Sequence, residues 1–323
     1  MTGIPPQRPG RRITGMSAVL LPFDAAGDVD WPAFAAGVER TAAAGLVPAV
    51  NMDTGYGPSL DPATRAEVLR VTASVLAGTE AVPGWPFVGG AHVDDPAPSF
   101  DPGAHRAALA EVAAVGGVPI LFPSAGLAGL PDGEVAGAHA AAAGAVDRML
   151  AFELGRQFHP LGRIWSLATY AAVLEIPRVV GAKHSSLRRG PEWERLAVRD
   201  ERRPGFLVLT GNDLAIDMVR WGSDYLLGLS TFAPDAFARR DRLWAAGDAG
   251  ALEVEDALQA IGAVAFRDPV PAYRHDAALA WCHRGWAASG RVHPGGPTRP
   301  DGEADLVATL LRRLDDAVAA AGA

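Results

Sequence analysis

Arg178-Val179-Val180-Gly181-Ala182-Lys183-His184-Ser185-Ser186 decides how the rest of the chain is read. Small and branched apolar residues lead into a lysine, and polar residues follow at once. Such a run fits a parallel strand buried on both faces, with its polar tail where the strand reaches solvent. A lysine at the exit of a buried strand is unusual, because desolvation disfavours an ammonium ion. A free amine can add to a ketone and form a Schiff base. The stretch alone also admits a plainer reading, a lysine that snorkels to the surface or pairs with a carboxylate.

On either side of it the pattern repeats. Apolar runs at 13–23, 46–52, 87–93, 118–122, 149–154, 206–210 and 225–229 read as further strands, making eight with the lysine strand. Helical spacing separates nearly all of them, as at 31–43, 104–115, 133–148 and 166–174. Asp30 and Asp61-Pro62 are helix-opening signals, an N-cap aspartate and a first-turn proline. Eight strands alternating with helices in about 220 residues fit a (β/α)8 barrel better than an open doubly wound sheet. No Gly-x-Gly-x-x-Gly stands at a strand-to-helix junction. Beyond Ser230 the strands stop, and 234–246, 251–266, 272–286 and 303–320 read as helices. The expected organisation is an α/β TIM barrel with a C-terminal helical extension: a flexible N-terminus over 1–12, the barrel over 13–232 and the extension over 233–323, packed on the barrel.

The 323 residues are 49% apolar, enough for a sizeable core. A formal net charge of −8 argues against non-specific nucleic-acid or anionic-membrane binding. The single cysteine, Cys282, excludes an internal disulfide framework and a multi-cysteine metal site, and fits a reducing compartment. Residues 1–12 are rich in Pro and Arg without an apolar run, unlike a secretory signal, and no segment approaches about 18 uninterrupted apolar residues. A soluble, cytoplasmic protein is the expectation.

In such barrels chemistry gathers at the C-terminal ends of the strands. Asp53, Thr54 and Tyr56 follow the second strand, and His92 and Asp94 the third. Ser124 follows the fourth; Phe152, Glu153 and Arg156 end the fifth. Lys183 and His184 end the sixth, Asn212 the seventh and Ser230 the eighth. Core packing does not ask for so many polar residues there. Each alone has a structural reading: Asp, Ser and Asn cap helices, and histidines bond to carbonyls. His92, Asp94, Glu153 and His184 also offer nitrogen and oxygen donors for a metal, without a tight motif such as His-Glu-x-x-His.

The order of motifs resembles the dihydrodipicolinate synthase / N-acetylneuraminate lyase family of class I aldolases, over about 13–286. Ala18-Val19-Leu20-Leu21-Pro22-Phe23 is similar to its first strand and Thr-Pro-Phe. Asp53-Thr54-Gly55-Tyr56, with Pro58-Ser59-Leu60, stands where the family has Gly-Thr-Thr-Gly-Glu and Pro-Thr-Leu. Residues 176–186 resemble its Schiff-base lysine strand closely. Thr210-Gly211-Asn212-Asp213 looks like its Ser-Gly-Asp-Asp turn, and Asp268-Pro269-Val270-Pro271 like its Asn-Pro-x-Pro segment.

The resemblance implies a (β/α)8 barrel in which Lys183 forms an imine with pyruvate or another 2-oxo acid, and no cofactor. Thr54 and the amides of the Asp53–Gly55 turn would hold the substrate carboxylate. It also implies a homotetramer or homodimer. The departures are specific. The family's proton-relaying tyrosine ends its fifth strand in Tyr-Asn-x-Pro; here the stretch is Phe152-Glu153-Leu154-Gly155, and phenylalanine carries no proton. Glu153 or Tyr56 is the expected replacement. Asp53 replaces the first threonine of the family's pair and would repel an anionic substrate. Arg156, on a longer loop with His159 and Arg163, would restore carboxylate binding. The reading is a Schiff-base lyase, aldolase or hydro-lyase. It acts on pyruvate or a hydroxylated, sugar-derived 2-oxo acid and not in dihydrodipicolinate synthesis. Lys183, Glu153 and Tyr56 are its catalytic residues, and Asp53, Thr54, Gly55, Arg156, His184, Asn212 and Ser230 bind substrate. Two other readings stay open: a non-catalytic 2-oxo-acid binder, and a metal-dependent enzyme using His92, Asp94, Glu153 and His184.

Overall fold

Three aspartates open the first three helices. Asp30, Asp61 and Asp101 each accept a backbone N–H from the first turn of α1 (Trp31–Ala44), α2 (Pro62–Val75) and α3 (Pro102–Ala114), with proline at the first or second helical position. Proline costs nothing there, because its missing N–H would have had no intrahelical partner. Ser124 and Ser166 do the same for the short α4 (Ala125–Ala128) and for α6 (Leu167–Leu174), on either side of α5 (Asp132–Ala143).

The computed structural model describes residues 4–321. Within them the strands are β1 (Gly15–Ala18), β2 (Val47–Val50), β3 (Val88–Ala91), β4 (Val118–Leu121), β5 (Met149–Leu154), β6 (Val179–Ser185), β7 (Leu207–Thr210) and β8 (Asp224–Leu227). Each pairs in parallel with the next, and β8 returns to β1, with Gly15 opposite Tyr225 and Met16 opposite Leu226. The fold is the expected (β/α)8 barrel with helices after it. α7 (Arg189–Arg202) connects β6 to β7, but only a short 3-10 segment, Ile216–Trp221, lies between β7 and β8.

Strand side chains alternate between the two faces. Met16, Val47, Val88, Ile120, Leu150 and Leu226 fill the barrel interior, and Met52, Phe122 and Phe152 close it toward the C-terminal ends. Lys183 sits opposite Phe152 in the β5–β6 register, so it points inward as well. Glu153 and His184, the next pair in that register, point outward to the helices.

After the barrel come α8 (Pro234–Ala246), α9 (Gly250–Ala265), α10 (Tyr273–His283) and α11 (Glu303–Ala320). α8 is the barrel's own eighth helix: Asp241 accepts the Tyr225 hydroxyl of β8 at 2.8 Å, and Arg242 reaches the Ala44 carbonyl of α1. Within the stretch 1–12, two arginines bond to the barrel. Arg8 donates its N–H to the Arg220 carbonyl at 2.7 Å, and Arg11 pairs with Asp224 at 3.0 Å. α10 lies across the mouth end of the barrel. Trp281 donates its indole N–H to the Thr231 carbonyl at 2.9 Å, and its ring presses on Gly37 of α1 so closely that a Cβ there would collide. Among the described residues no helix is long and apolar enough to cross a membrane.

Glu192 of α7 is fully buried and accepts hydrogen bonds from Thr210 at 3.0 Å and Ser223 at 2.5 Å. Burial pushes its carboxyl up to about 7, although His184 and both hydroxyls pull it back. A carboxyl raised in the folded state contributes stability below its unfolded value, and that stability is lost as pH rises through about 7. Glu192→Gln cannot titrate. Relative to the parent it should gain on the order of 1–3 kcal/mol between about pH 5 and 8 in urea unfolding. A difference independent of pH would contradict the assignment.

Candidate active site

The loop after β2 is built on one carbonyl. Asn51 and Tyr56 adopt φ 53° and 60°, a left-handed conformation costly for residues with a side chain. The Asn51 carbonyl accepts His92 Nε2–H at 2.9 Å, and Asn51 Nδ2 donates to the Arg65 carbonyl at 3.0 Å. Gly57 and Gly90 press on the same carbonyl, where any Cβ would collide. This arrangement fixes the turn that carries Asp53 and Thr54. The N–H groups of Thr54 and Gly55 donate to no carbonyl among the described residues.

Lys183 reaches this turn from β6. It is 4% exposed. Its ammonium lies 4.7 Å from the Phe152 ring centre and 3.8 Å from Asp53 Oδ1, beyond hydrogen-bond length. That Asp53 oxygen is buried without a hydrogen-bond partner among the described residues. Gly211, at the end of β7, makes room for the lysine: a Cβ there would stand 2.7 Å from Lys183 Cε. Asp213, two residues on, accepts the Leu229 N–H at 2.7 Å. Burial pushes its carboxyl up to about 7; Lys183 pulls it down and Asp53 pushes it further up. The amine thus stands among two carboxyl groups and a phenyl face.

Tyr273 enters from α10. Its hydroxyl donates to Asp53 Oδ2 at 2.9 Å and lies 2.9 Å from Thr54 Oγ1. With its own proton on Asp53, the phenol oxygen accepts the threonine's. Burial first, and then Asp53, hold the Tyr273 hydroxyl well above the usual tyrosine range, so it keeps its proton. The ring stacks on Phe266, with centroids 4.3 Å apart, and Gly228 of the β8 end leaves space for it: a Cβ there would be 3.1 Å from the ring and 3.0 Å from Thr54 Oγ1. Arg274 donates to the Asp53 carbonyl at 3.2 Å.

Of the residues singled out in the sequence, the structure brings Lys183, Asp53, Thr54 and Gly55 together, and it turns others away. Glu153 accepts bidentate bonds from Arg195 at 2.6 Å and meets His184 Nδ1 at 2.9 Å and the Trp165 N–H at 2.9 Å, all outside the barrel wall. Burial pushes its carboxyl up, but His184 and Arg195 outweigh that and hold it below the usual range. Strand alternation thus places Glu153, expected to move protons at Lys183, and His184, expected to bind substrate, on the face away from the lysine. Ser230 donates to the Leu227 carbonyl and meets the Ser17 hydroxyl, both at 2.8 Å, joining the end of β8 to β1. Asn212 accepts the Leu214 N–H at 3.2 Å and shapes the turn after β7. Arg156 is exposed, with no ion-pair partner among the described residues. Tyr56 is wedged between Phe23 and His293 under Arg274; burial pushes its hydroxyl up to about 12, and that hydroxyl has no hydrogen bond to the Lys183 cluster.

The metal set does not converge. Asp94 pairs with Arg65, His92 is bonded to Asn51 and pushed down to about 4 by burial, and Glu153 and His184 lie on the outer face. Among the described residues no three His, Cys, Asp or Glu side chains gather to hold an ion. His92, Asp94, Phe122, His159 and Leu161 line a cavity of about 260 Å3 over the mouth. Phe122 is its link to the lysine, packed edge-on against Phe152 at 5.1 Å.

Reading the sequence for motifs misses Tyr273, which follows the Asp268-Pro269-Val270-Pro271 segment but belongs to no strand end. It also misses a signal in plain view. The chain has 28 arginines and one lysine, Lys183. Arginine serves on a solvated surface and in ion pairs as well as lysine or better, but it does not give up its proton to become a nucleophilic amine.

No protein-family model and no curated protein sequence matches the chain. Solved structures of like fold do. A dihydrodipicolinate synthase from Thermotoga maritima is 14% identical with TM-score 0.77, covering 94% of this chain and 99% of its own. A 4-hydroxy-tetrahydrodipicolinate synthase from Methylacidiphilum fumariolicum SolV is 15% identical with TM-score 0.78, covering 96% and 99%. A prophage protein of the dihydrodipicolinic acid synthase family from E. coli K12, in complex with pyruvate, is 17% identical with TM-score 0.77, covering 94% and 98%. At these identities the likeness shows the fold: a barrel with a C-terminal helical extension, alike over nearly the full length of both chains.

The outward ion pair carries a stability prediction. Glu153→Gln leaves Arg195 buried with half its pairing lost, and should lower unfolding free energy by about 3 kcal/mol in urea titration. A loss below about 0.5 kcal/mol would show that the pair does not hold the β5 and α7 layers together.

Proposed function

We propose that the chain is a Schiff-base-forming lyase of class I aldolase type, a divergent member of the dihydrodipicolinate synthase / N-acetylneuraminate lyase family, acting on pyruvate or a hydroxylated 2-oxo acid. The observation that carries the proposal is Lys183: the chain's one lysine, buried at the inner C-terminal end of β6, with no carboxylate of the described residues within hydrogen-bond length. The amine adds to the C2 carbonyl of the 2-oxo acid, water leaves, and a protonated imine forms. That cation draws electrons from the C2–C3 region and stabilises the enamine left by carbon–carbon cleavage or proton loss. The N–H groups of Thr54 and Gly55 are the donors for the substrate carboxylate, since the Thr54 hydroxyl is engaged with Tyr273. No added cofactor enters this chemistry.

Phe152 favours a second reading. With no hydroxyl on the β5 side of the lysine, the chain is a 2-oxo-acid binder that forms the imine and goes no further. The assembly proposed with the function is a homotetramer or homodimer, in keeping with the resemblance.

The test is borohydride capture. Incubation with pyruvate and related 2-oxo acids, reduction, and peptide mass analysis should find one adduct, on Lys183, absent from Lys183→Arg. Glu153→Gln should keep that adduct, because Glu153 lies outside the barrel wall. No adduct with any acid, in folded protein, would overturn the proposal.

A further inference from the structure

The site has a nucleophile but no hydroxyl on β5, so something else must move the substrate's protons. We propose that Asp53 is the proton-transfer group of this site, and that Tyr273 is its positioning residue, delivered by the C-terminal extension. The proposal rests on the imine reading of Lys183.

Three observations carry it. Asp53 Oδ1 is buried, unpartnered and 3.8 Å from Lys183 Nζ. In the imine the C3 carbon is two bonds from that nitrogen, which puts its hydrogens within reach of a carboxylate so placed. Asp53 Oδ2 is held at 2.9 Å by Tyr273, whose ring is locked on Phe266, so one oxygen is anchored while the other stays free. The outward alternatives are excluded by the wall of the barrel: Glu153 is tied to Arg195 and His184. A carboxylate at this position, in conflict with an anionic substrate if it only bound, is in place as a base beside a cationic imine.

The step balances without a co-reactant. A C3–H bond of the iminium breaks and its proton goes to Asp53 Oδ1. The bonding pair becomes the C2–C3 double bond, and the C2–N π pair goes to nitrogen, neutralising the iminium. Reversal returns a proton to C3; in heavy water it returns a deuteron. Asp213 does not compete as the ionised base, since burial favours its protonated form up to about pH 7.

The charged and titratable groups facing Asp53 are Lys183 from β6, Asp213 after β7, His159 from the loop after β5, and Tyr273 and Arg274 from α10. The Tyr273 hydroxyl, donating to Asp53 Oδ2, fixes the orientation of the carboxylate and leaves Oδ1 toward Lys183.

The experiment follows deuterium entry into the pyruvate methyl group by proton NMR, alongside borohydride capture of the same samples. The parent chain should do both. Asp53→Asn should keep the Lys183 adduct and lose exchange by about 100-fold or more. Tyr273→Phe, which keeps the ring on Phe266, should keep the adduct and slow exchange several-fold at saturating pyruvate, with the KM for pyruvate unchanged. A merely structural role for Tyr273 would weaken borohydride capture of pyruvate along with exchange. Exchange in Asp53→Asn within a few-fold of the parent, with the adduct present, would overturn this assignment and leave the imine intact. No adduct in the parent would instead overturn the imine reading, and this assignment with it.

Discussion

One ammonium group, buried in an apolar barrel, sets the terms for everything around it. A desolvated charge of this kind is strongly disfavoured unless compensated. Here the compensation is indirect: a phenyl face at 4.7 Å, one carboxylate at 3.8 Å, and a second that burial favours in its neutral form. Among the described residues no group grips the amine at hydrogen-bond distance, and a tightly paired lysine would be a poor nucleophile. The small residues near it follow from the same demand. Gly211 lets β7 pass against the lysine stem, and Gly228 lets Tyr273 reach Thr54.

The extension is part of the site and not an appendage. Trp281 pins α10 to the end of β8 and to α1, and this seating places Tyr273 on Asp53 and Arg274 on the same turn. Arg299 secures the other side, bonded to Asp276 at 2.9 Å and to the Ala265 carbonyl at 2.6 Å, which ties the 290s loop to α9 and α10. The site is thus assembled from β2, β6, β7 and a helix about 90 residues beyond the lysine, all held by buried packing.

Much of this was legible in the residues. The aspartate-proline helix starts, the eight apolar runs and the late helices are local signals, and the structure repeats them with ends shifted by a few residues. The lysine strand was legible because burial and polarity change along it within one turn of chain. What was not legible depends on parity and on distance. Glu153 and Phe152 are neighbours, and both are plausible at a strand end until the register with β6 shows which one shares the interior with Lys183. His184 shares the outward face with Glu153 for the same reason. Tyr273 was hidden because nothing local reveals where a helix of the extension will dock. Ser230 and Asn212 make hydrogen bonds at a strand closure and a turn. The lone lysine among 28 arginines needed only counting.

Because the chain has a single lysine, its amine can be watched directly. The protein would be labelled with 15N at the lysine side chain, mixed with pyruvate labelled with 13C at C2, and followed by NMR. If Lys183 adds to the carbonyl, a 13C signal in the imine range should appear with a one-bond coupling to the labelled nitrogen, and it should vanish in Lys183→Arg. A C2 signal that remains that of free ketone and hydrate, with the lysine nitrogen unchanged at saturating pyruvate and with other 2-oxo acids, would contradict the account at its centre.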